Sequence, residues 1–278
     1  MRTMRTTGRV AAIHDLSCFG RCSLAVILPV LSVMGVQCCP MPTAVLSSHT
    51  GGFDHIARTD LTDQMAGTVA QWEGLPLTFD GVYTGYMASA EQIGRTREAI
   101  RVLKKADGIA VVDPVLGDHG RLYRSITGEM VAAMGELCRH ADVITPNLTE
   151  ANLLLGRAAD APVEEGETMA KELSDGGRRS VVVTGVSPRE GQVGAAWYDR
   201  RDGSTGLAAG ARVDAAYPGT GDLFAAVLTG GLVRGDGLAS SVRRAADFVR
   251  RCAAHTLERG LPAREGVEFE PLLNLLNR

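Results

Sequence analysis

The sequence predicts an α/β fold built on one doubly wound, mostly parallel sheet with helices on both faces. Three observations carry this. Short apolar runs alternate with longer helical segments along nearly the whole chain, the pattern of repeated βαβ units. Several runs, such as 108–112 (GIAVV) and 180–184 (SVVVT), are apolar without a break, as befits strands covered on both sides. The unusual polar clusters fall directly after strands, at 15–18, 47–53, 113–118, 145–150 and 184. In an open α/β sheet, ligands sit outside the strands' carboxyl ends.

The elements follow in order. Residues 9–14 (RVAAIH) form a short buried strand and 22–34 an apolar helix. Residues 36–46 are strand-like, but Pro40 and Pro42 suit an edge or a bend rather than a central strand. A helix over 60–73 takes Asp60 as its N-cap. Residues 79–84 are a strand, and Ser89 with Gln92 opens the next helix as a capping box. A strand at 108–112, a helix over 126–139 and a strand at 142–145 come next. Helices over 147–155 and 162–173 lead to the strand at 180–184. A weaker strand pair, 193–198 and 206–213, precedes two long helices over 221–233 and 237–257. No repeat, low-complexity run or linker divides the 278 residues. A single domain over 1–278 is therefore expected, with a flexible tail over 1–8.

Composition narrows the function classes. Apolar residues make up 45% and charged residues 22%, so a core can form without disulfide or metal staples. Twenty-nine Lys and Arg against 32 Asp and Glu leave a net charge of −3. With no basic excess to neutralise a phosphate backbone, no nucleic-acid partner is expected. Two Trp, five Tyr and six Phe are few for a base-stacking platform. The longest apolar stretch, 24–36, contains Pro29 and Ser32 and falls short of the roughly 20 residues of a membrane span. Arg2 and Arg5 could open a signal segment, but the apolar run after them is cut by His14 and Asp15. A cytoplasmic protein with no membrane partner is expected. The six cysteines form no CxxC pair and no metal-ligand spacing with histidine, so they are expected as reduced thiols, with Cys18 and Cys22 flanking a substrate loop.

Four motifs carry chemistry. In 217–226 (YPGTGDLFAA), Gly219, Thr220 and Gly221 form a tight loop before an apolar helix. The first N–H groups of that helix and its dipole make an anion site. An acid there repels phosphate, so Asp222 makes sense as a base taking a proton from an alcohol while the amides stabilise a transferring phosphoryl group. A plain helix-terminal Asp is the alternative from spacing alone. In 111–120 (VVDPVLGDHG), Asp113 ends a strand and Asp118 follows on a glycine turn. The two suit Mg²⁺, which takes one or two carboxylates plus phosphate oxygens and waters, or are simple turn signals. In 143–150 (VITPNLTE), Asn147 and Glu150 either cap a helix or reach phosphate oxygens and a metal-bound water. The loop 47–53 (SSHTGGF) suits hydrogen bonding to a hydroxyl-bearing ring, or is merely solvated. His49 reads as a structural hydrogen-bonder, and His14, His55, His140 and His255 show no partners. GxxxxGK[ST], GxSxG, an early GxGxxG and the HRD/DFG pair are absent, which disfavours P-loop, hydrolase, dehydrogenase and protein-kinase chemistry.

Taken in order, SSHTGG at 47–52, TGY at 84–86, DPVLGD at 113–118, TPNLTEANLL at 145–154 and GTGDLFAAVL at 219–228 resemble the ribokinase-like superfamily. Within it they resemble the pyridoxal kinase branch, over about residues 10–233. The resemblance implies a three-layer α/β/α sandwich, a homodimer, and ATP-dependent phosphorylation of the 5′-hydroxymethyl group of pyridoxal, pyridoxamine or pyridoxine. It implies Asp222 as general base, with Gly219, Thr220 and Gly221 as the anion hole. Asp113, Asp118, Asn147 and Glu150 would surround Mg²⁺ and the ATP phosphates, with Asp113, Asp118 and Glu150 as metal ligands. Thr145 and Thr184 match nucleotide-side positions near a monovalent cation (K⁺ or Na⁺), and Tyr123 leans over the phosphates. Ser47, His49, Thr50 and Tyr86 fall on the substrate side, Thr50 and Tyr86 holding or covering the pyridine ring. One departure stands out. The branch typically carries Ser-His-Val after the first strand, whereas residues 13–17 here are IHDLS, which places Asp15, with Ser17, at the substrate. A carboxylate there can pair with a protonated ring nitrogen. It also resembles the hydroxymethylpyrimidine (phosphate) kinases of thiamine biosynthesis, which are the alternative reading. A non-catalytic nucleotide or pyridoxal binder on the same fold is the other.

Overall fold

A computed structural model describes residues 7–162 and 165–277 of the chain. Its strands are β1 (Arg9–Ser17), β2 (Gln37–Leu46), β3 (Arg58–Asp60), β4 (Phe79–Thr84), β5 (Lys104–Val112), β6 (Gly117–Asp118), β7 (Arg121–Leu122), β8 (Val143–Ile144), β9 (Ser180–Val186), β10 (Gln192–Tyr198) and β11 (Thr205–Ala211). Its α-helices are α1 (Leu24–Val33), α2 (Thr62–Gly74), α3 (Ala90–Leu103), α4 (Gly128–Cys138), α5 (Leu148–Leu154), α6 (Gly166–Leu173), α7 (Thr220–Arg234) and α8 (Leu238–Glu258). Among the described residues nine strands share one sheet, in the order β11-β10-β9-β8-β5-β4-β1-β2-β3, and β6 pairs with β7 in a separate ribbon. The run from β2 to β9 is parallel throughout, while β3 and β10 join antiparallel.

Alternation within the strands explains the layers. Successive strand side chains point to opposite faces. Val10 and Ala12 of β1 pack with α1, α7 and α8, whereas Ala11 and Ile13 pack with α2, α3, α4 and α6. Val182 of β9 divides from Val181 and Val183 in the same way. All seven are fully buried, which is why these strands read as unbroken apolar runs. The three-layer α/β/α sandwich expected from the resemblance is the observed architecture.

Several boundaries differ from expectation, each for a local reason. β2 lies inside the sheet, between β1 and β3, rather than at its edge. β3 pairs only with Ala44–Leu46, so Pro40 and Pro42 stand where β2 has β1 alone beside it, and a missing N–H is tolerated there. α1 begins at Leu24 because Ser23 sits at φ 59°. Asp60 belongs to β3 and braces α2 from outside, its Oδ1 accepting from the Thr62 N–H at 2.9 Å. Of the expected tail, residues 1–6 lie outside the described residues, and the Gly8 carbonyl is tied to the Gln37 N–H at 2.8 Å. Residues 163 and 164 of the expected helix over 162–173 also lie outside them. The β6–β7 ribbon is too short to leave a periodic signal. No described helix is long and apolar enough to cross a membrane, and all six cysteines are unpaired.

Sheet topology fixes where ligands can bind. From β1 the chain passes to β2 on one side and returns to β4 on the other. The reversal opens a crevice between β1 and β4 at their carboxyl ends.

Candidate active site

The ends of β1, β4, β5, β8 and β9 and the N-terminus of α7 open into one cavity of about 1710 Å³. That exceeds the ~300–1,000 Å³ of a typical small-molecule site and leaves room for two substrates side by side. Every site residue expected from sequence lines it except Ser47. Ser47 is exposed and its Oγ accepts from the Ala57 N–H at 3.0 Å, so it ties its own loop together and is not a cavity residue.

The α7 end is built around Gly219. This residue is left-handed at φ 78°, and a Cβ there would lie 1.9 Å from the Arg21 carbonyl oxygen, so only glycine fits. Thr220 Oγ donates to the Tyr217 carbonyl at 3.2 Å, closing the loop. Gly221 has open space around it. The first N–H groups of α7 have no partners within the helix and face the cavity with the positive end of its dipole. Asp222 stands in this first turn with both oxygens engaged. Oδ2 accepts from the Ser23 N–H at 2.7 Å, and Oδ1 lies 3.0 Å from His14 Nε2.

His14 is the functional residue that sequence reasoning missed. It lies in the buried run of β1, 2% exposed, with Nδ1 2.9 Å from Asp15 Oδ1 and Nε2 on Asp222. Burial by itself would push the imidazole pKa down. The charge of Asp222, the hydrogen bonds to Asp15 and Asp222, and the charge of Asp15 outweigh it and raise the value to about 10. Asp15 is tied into the same network. Its carboxylate is 3% exposed and takes hydrogen bonds from Ser23 Oγ at 2.7 Å and Ser17 Oγ at 2.9 Å besides the contact with His14. Burial raises its pKa, but the bonds and charge of His14 and the two serine bonds lower it overall. It lines the cavity with its carboxylate already engaged by His14, and Ser17 supports it in turn. The one signal available in sequence was the adjacency of two ionisable residues at the end of an apolar strand.

The opposite wall is acidic. Asp113 is buried at the end of β5, and Thr145 Oγ1 donates to its Oδ1 at 3.1 Å. Burial first, and then the charge of Asp222, push its pKa up to about 7. Glu150 is also buried, and burial followed by the charge of Asp113 pushes it well above the ordinary carboxylate range. Its oxygens accept from the Leu116 and Asn147 N–H groups at 3.0 and 2.9 Å. Asn147 Oδ1 accepts from the Glu150 N–H at 3.0 Å, so the capping box is formed, while Nδ2 donates to the Gly117 carbonyl at 2.8 Å. Thr184 bridges to Asn147 across the sheet end. Asp118, on the β6–β7 ribbon, is exposed and accepts from the His119 N–H at 2.7 Å. Tyr123 follows that ribbon, and burial together with the charges of Glu150 and Asp118 raises its hydroxyl pKa.

No three His, Cys, Asp or Glu side chains among the described residues converge on a metal position. Asp113, Asp118 and Glu150 therefore do not form a ready-made ligand set, because Asp118 is out on the ribbon and Glu150 is occupied by backbone N–H groups. The donor chemistry still fits Mg²⁺. Two buried carboxyls raise each other's affinity for positive charge, and Mg²⁺ completes its octahedron with phosphate oxygens and water. On the ring side, His49 is buried and fixed at both nitrogens, Nδ1 accepting from the Gly51 N–H at 3.1 Å and Nε2 donating to the Arg264 carbonyl at 2.7 Å. It shapes the loop that carries Thr50, which is exposed. Tyr86 lies across the crevice, its hydroxyl 3.3 Å from Ser125 Oγ.

The phosphomethylpyrimidine kinase family model matches residues 28–266. A pyridoxine/pyridoxal/pyridoxamine kinase of Bordetella bronchiseptica is 30% identical over 267 residues, covering 90% of each chain. A Bacteroides thetaiotaomicron protein solved in an orthorhombic form with pyridoxal superposes with a TM-score of 0.92 at 40% identity, over 98% of this chain and 96% of its own. The pyridoxal kinase of Leishmania donovani in complex with ADP and pyridoxamine gives 0.80 at 26%, over 97% and 96%.

Proposed function

This chain belongs to the phosphomethylpyrimidine kinase family, and from that premise we propose that it transfers the γ-phosphoryl group of ATP to the 5′-hydroxymethyl group of pyridoxal, pyridoxamine or pyridoxine. One observation carries the reading. A carboxylate, Asp222, stands in the first turn of a helix whose free N–H groups face the same cavity as the acidic pair Asp113 and Glu150. A site that only bound phosphate would have no use for an acid at that position. Phosphoryl transfer to an alcohol needs both parts: a base for the hydroxyl proton and donors for the charge on the phosphoryl group.

In this mechanism Asp222 orients the hydroxymethyl oxygen and takes its proton as that oxygen attacks. The N–H groups of the Gly219–Gly221 loop offset the charge on the phosphoryl group. Asp113 and Glu150, with Asp118 at the rim, would hold Mg²⁺ against the nucleotide phosphates, and the ion would neutralise charge there. Thr50 and Tyr86 flank the ring. The family resemblance extends the reading to a cytoplasmic homodimer and a K⁺ or Na⁺ ion near Thr145 and Thr184, which gel filtration and a cation titration test.

The decisive experiment measures ADP release from Mg·ATP with the three vitamers and hydroxymethylpyrimidine side by side, for the wild type and Asp222→Asn. Turnover on a vitamer is expected, lowered about 10²–10⁴-fold in the variant, the range for loss of a general base. An unaltered rate in Asp222→Asn would remove it as the base. Turnover confined to the pyrimidine would move the chain to the reaction for which its family model is named.

A further inference from the structure

We propose that His14 is a positioning residue of this transfer, a buried link that joins Asp15 to Asp222 and fixes the angle at which the Asp222 carboxylate meets the acceptor hydroxyl. The inference rests on the function proposed above.

The geometry leaves little freedom. His14 Nδ1 and Nε2 lie 2.9 and 3.0 Å from carboxylate oxygens of Asp15 and Asp222. The backbone N–H groups of Asp15 and Tyr86 also point at Nδ1 and Nε2, at 2.9 and 3.3 Å. An imidazole donates at both nitrogens only when doubly protonated, and the two flanking carboxylates favour that state over a ring that accepts from the backbone, in accord with its raised pKa. Asp15 is anchored by Ser17 and Ser23, so the chain of contacts ends on fixed groups. Ser23 also gives its backbone N–H to the second oxygen of Asp222. The carboxylate is therefore held at both oxygens, by β1 on one side and by the loop before α1 on the other.

The ring itself is clamped. Tyr83 meets it edge-on at 6.4 Å between centroids, and Gly85 packs so closely that a Cβ there would lie 2.0 Å from the imidazole. The glycine of the 84–86 motif thus makes room for His14. Asp15 faces the imidazole from its own strand, Tyr83 from β4 and Asp222 from α7, and Asp113 at the end of β5 senses its charge at longer range. Asp222 is the one of these that must also meet a substrate, so the cation beside it bears directly on the step.

The test uses the full chain with His14→Ala and His14→Gln, the latter keeping an uncharged amide donor group. In His14→Ala, kcat is expected to fall about 10²-fold, the cost of a misplaced reacting group, while KM for vitamer and ATP changes less than about threefold. His14→Gln should recover part of the loss. A residue that only braced β1 against α7 would lower thermal stability and leave kcat of the folded variant close to wild type. A folded His14→Ala with wild-type kcat, or a His14→Gln that recovers nothing, overturns the proposal. Nitrogen NMR of the wild-type ring supplies a readout free of turnover: two protonated nitrogens are expected at pH 8, and a neutral tautomer breaks the link. A wild type inactive on every vitamer overturns the functional reading and the positioning role with it, and the ring nitrogens tell that failure from a broken link.

Discussion

At the scale of single residues, the site depends on pairs that are distant in the chain. His14 and Asp222 are 208 positions apart, and no spacing rule reaches across that interval. Asp222 was legible because its glycine loop and helix surround it in sequence. His14 was not, because its partner is supplied by the fold. Gly85 shows the same coupling from the other side. Its open backbone would accept alanine conformationally, but the added methyl would overlap the His14 ring. Gly85→Ala is therefore expected to displace the imidazole and lower kcat in parallel with His14→Ala, with a smaller loss in the double variant than the two single losses combined. Independent losses that simply add would show that the glycine serves something other than His14.

At the scale of elements, the parts with strong periodicity or punctuation were readable. The alternating helix and strand segments, to within a few residues, and the loop before α7 stand where the sequence places them, and Ser89 caps α3, although the Gln92 side chain accepts from the Ala88 N–H at 2.8 Å instead of closing the expected capping box. The parts that tertiary pairing decides were not. The β6–β7 ribbon has two residues per strand, and β2 gains its inner position from β3, three residues that look like loop. The α5 cap joins these two classes. Asn147 closes the capping box and also donates to the Gly117 carbonyl on the ribbon that carries Asp118. Asn147→Ala should cost about 1 kcal/mol of stability from the lost cap. It should also raise KM for ATP, since the ribbon loses a tether at the nucleotide wall. Denaturant titration and steady-state kinetics separate the two effects, and a cap loss with unchanged KM would show that the ribbon positions itself without Asn147.

At the scale of the whole molecule, the switch point between β1 and β4 brings a cation and three carboxyls into one buried region, and stability must then depend on pH. His14 has a folded pKa of about 10 against an ordinary 6.5. Between those values the folded chain holds a proton that the unfolded chain has released. A group raised in this way adds stability that is fully present below pH 6.5 and is lost as pH rises towards 10. A tenfold gain in proton affinity is worth about 1.4 kcal/mol, so the contribution is on the order of a few kcal/mol. Other groups titrate over the same range, and the comparison that isolates His14 is the wild type against His14→Gln. Thermal unfolding of both from pH 6 to 10 should show the wild type more stable at the acid end and the gap closing towards pH 10. A constant gap would mean that the ring stays neutral in the folded chain, and the two carboxylates would then need another source of positive charge at the switch point.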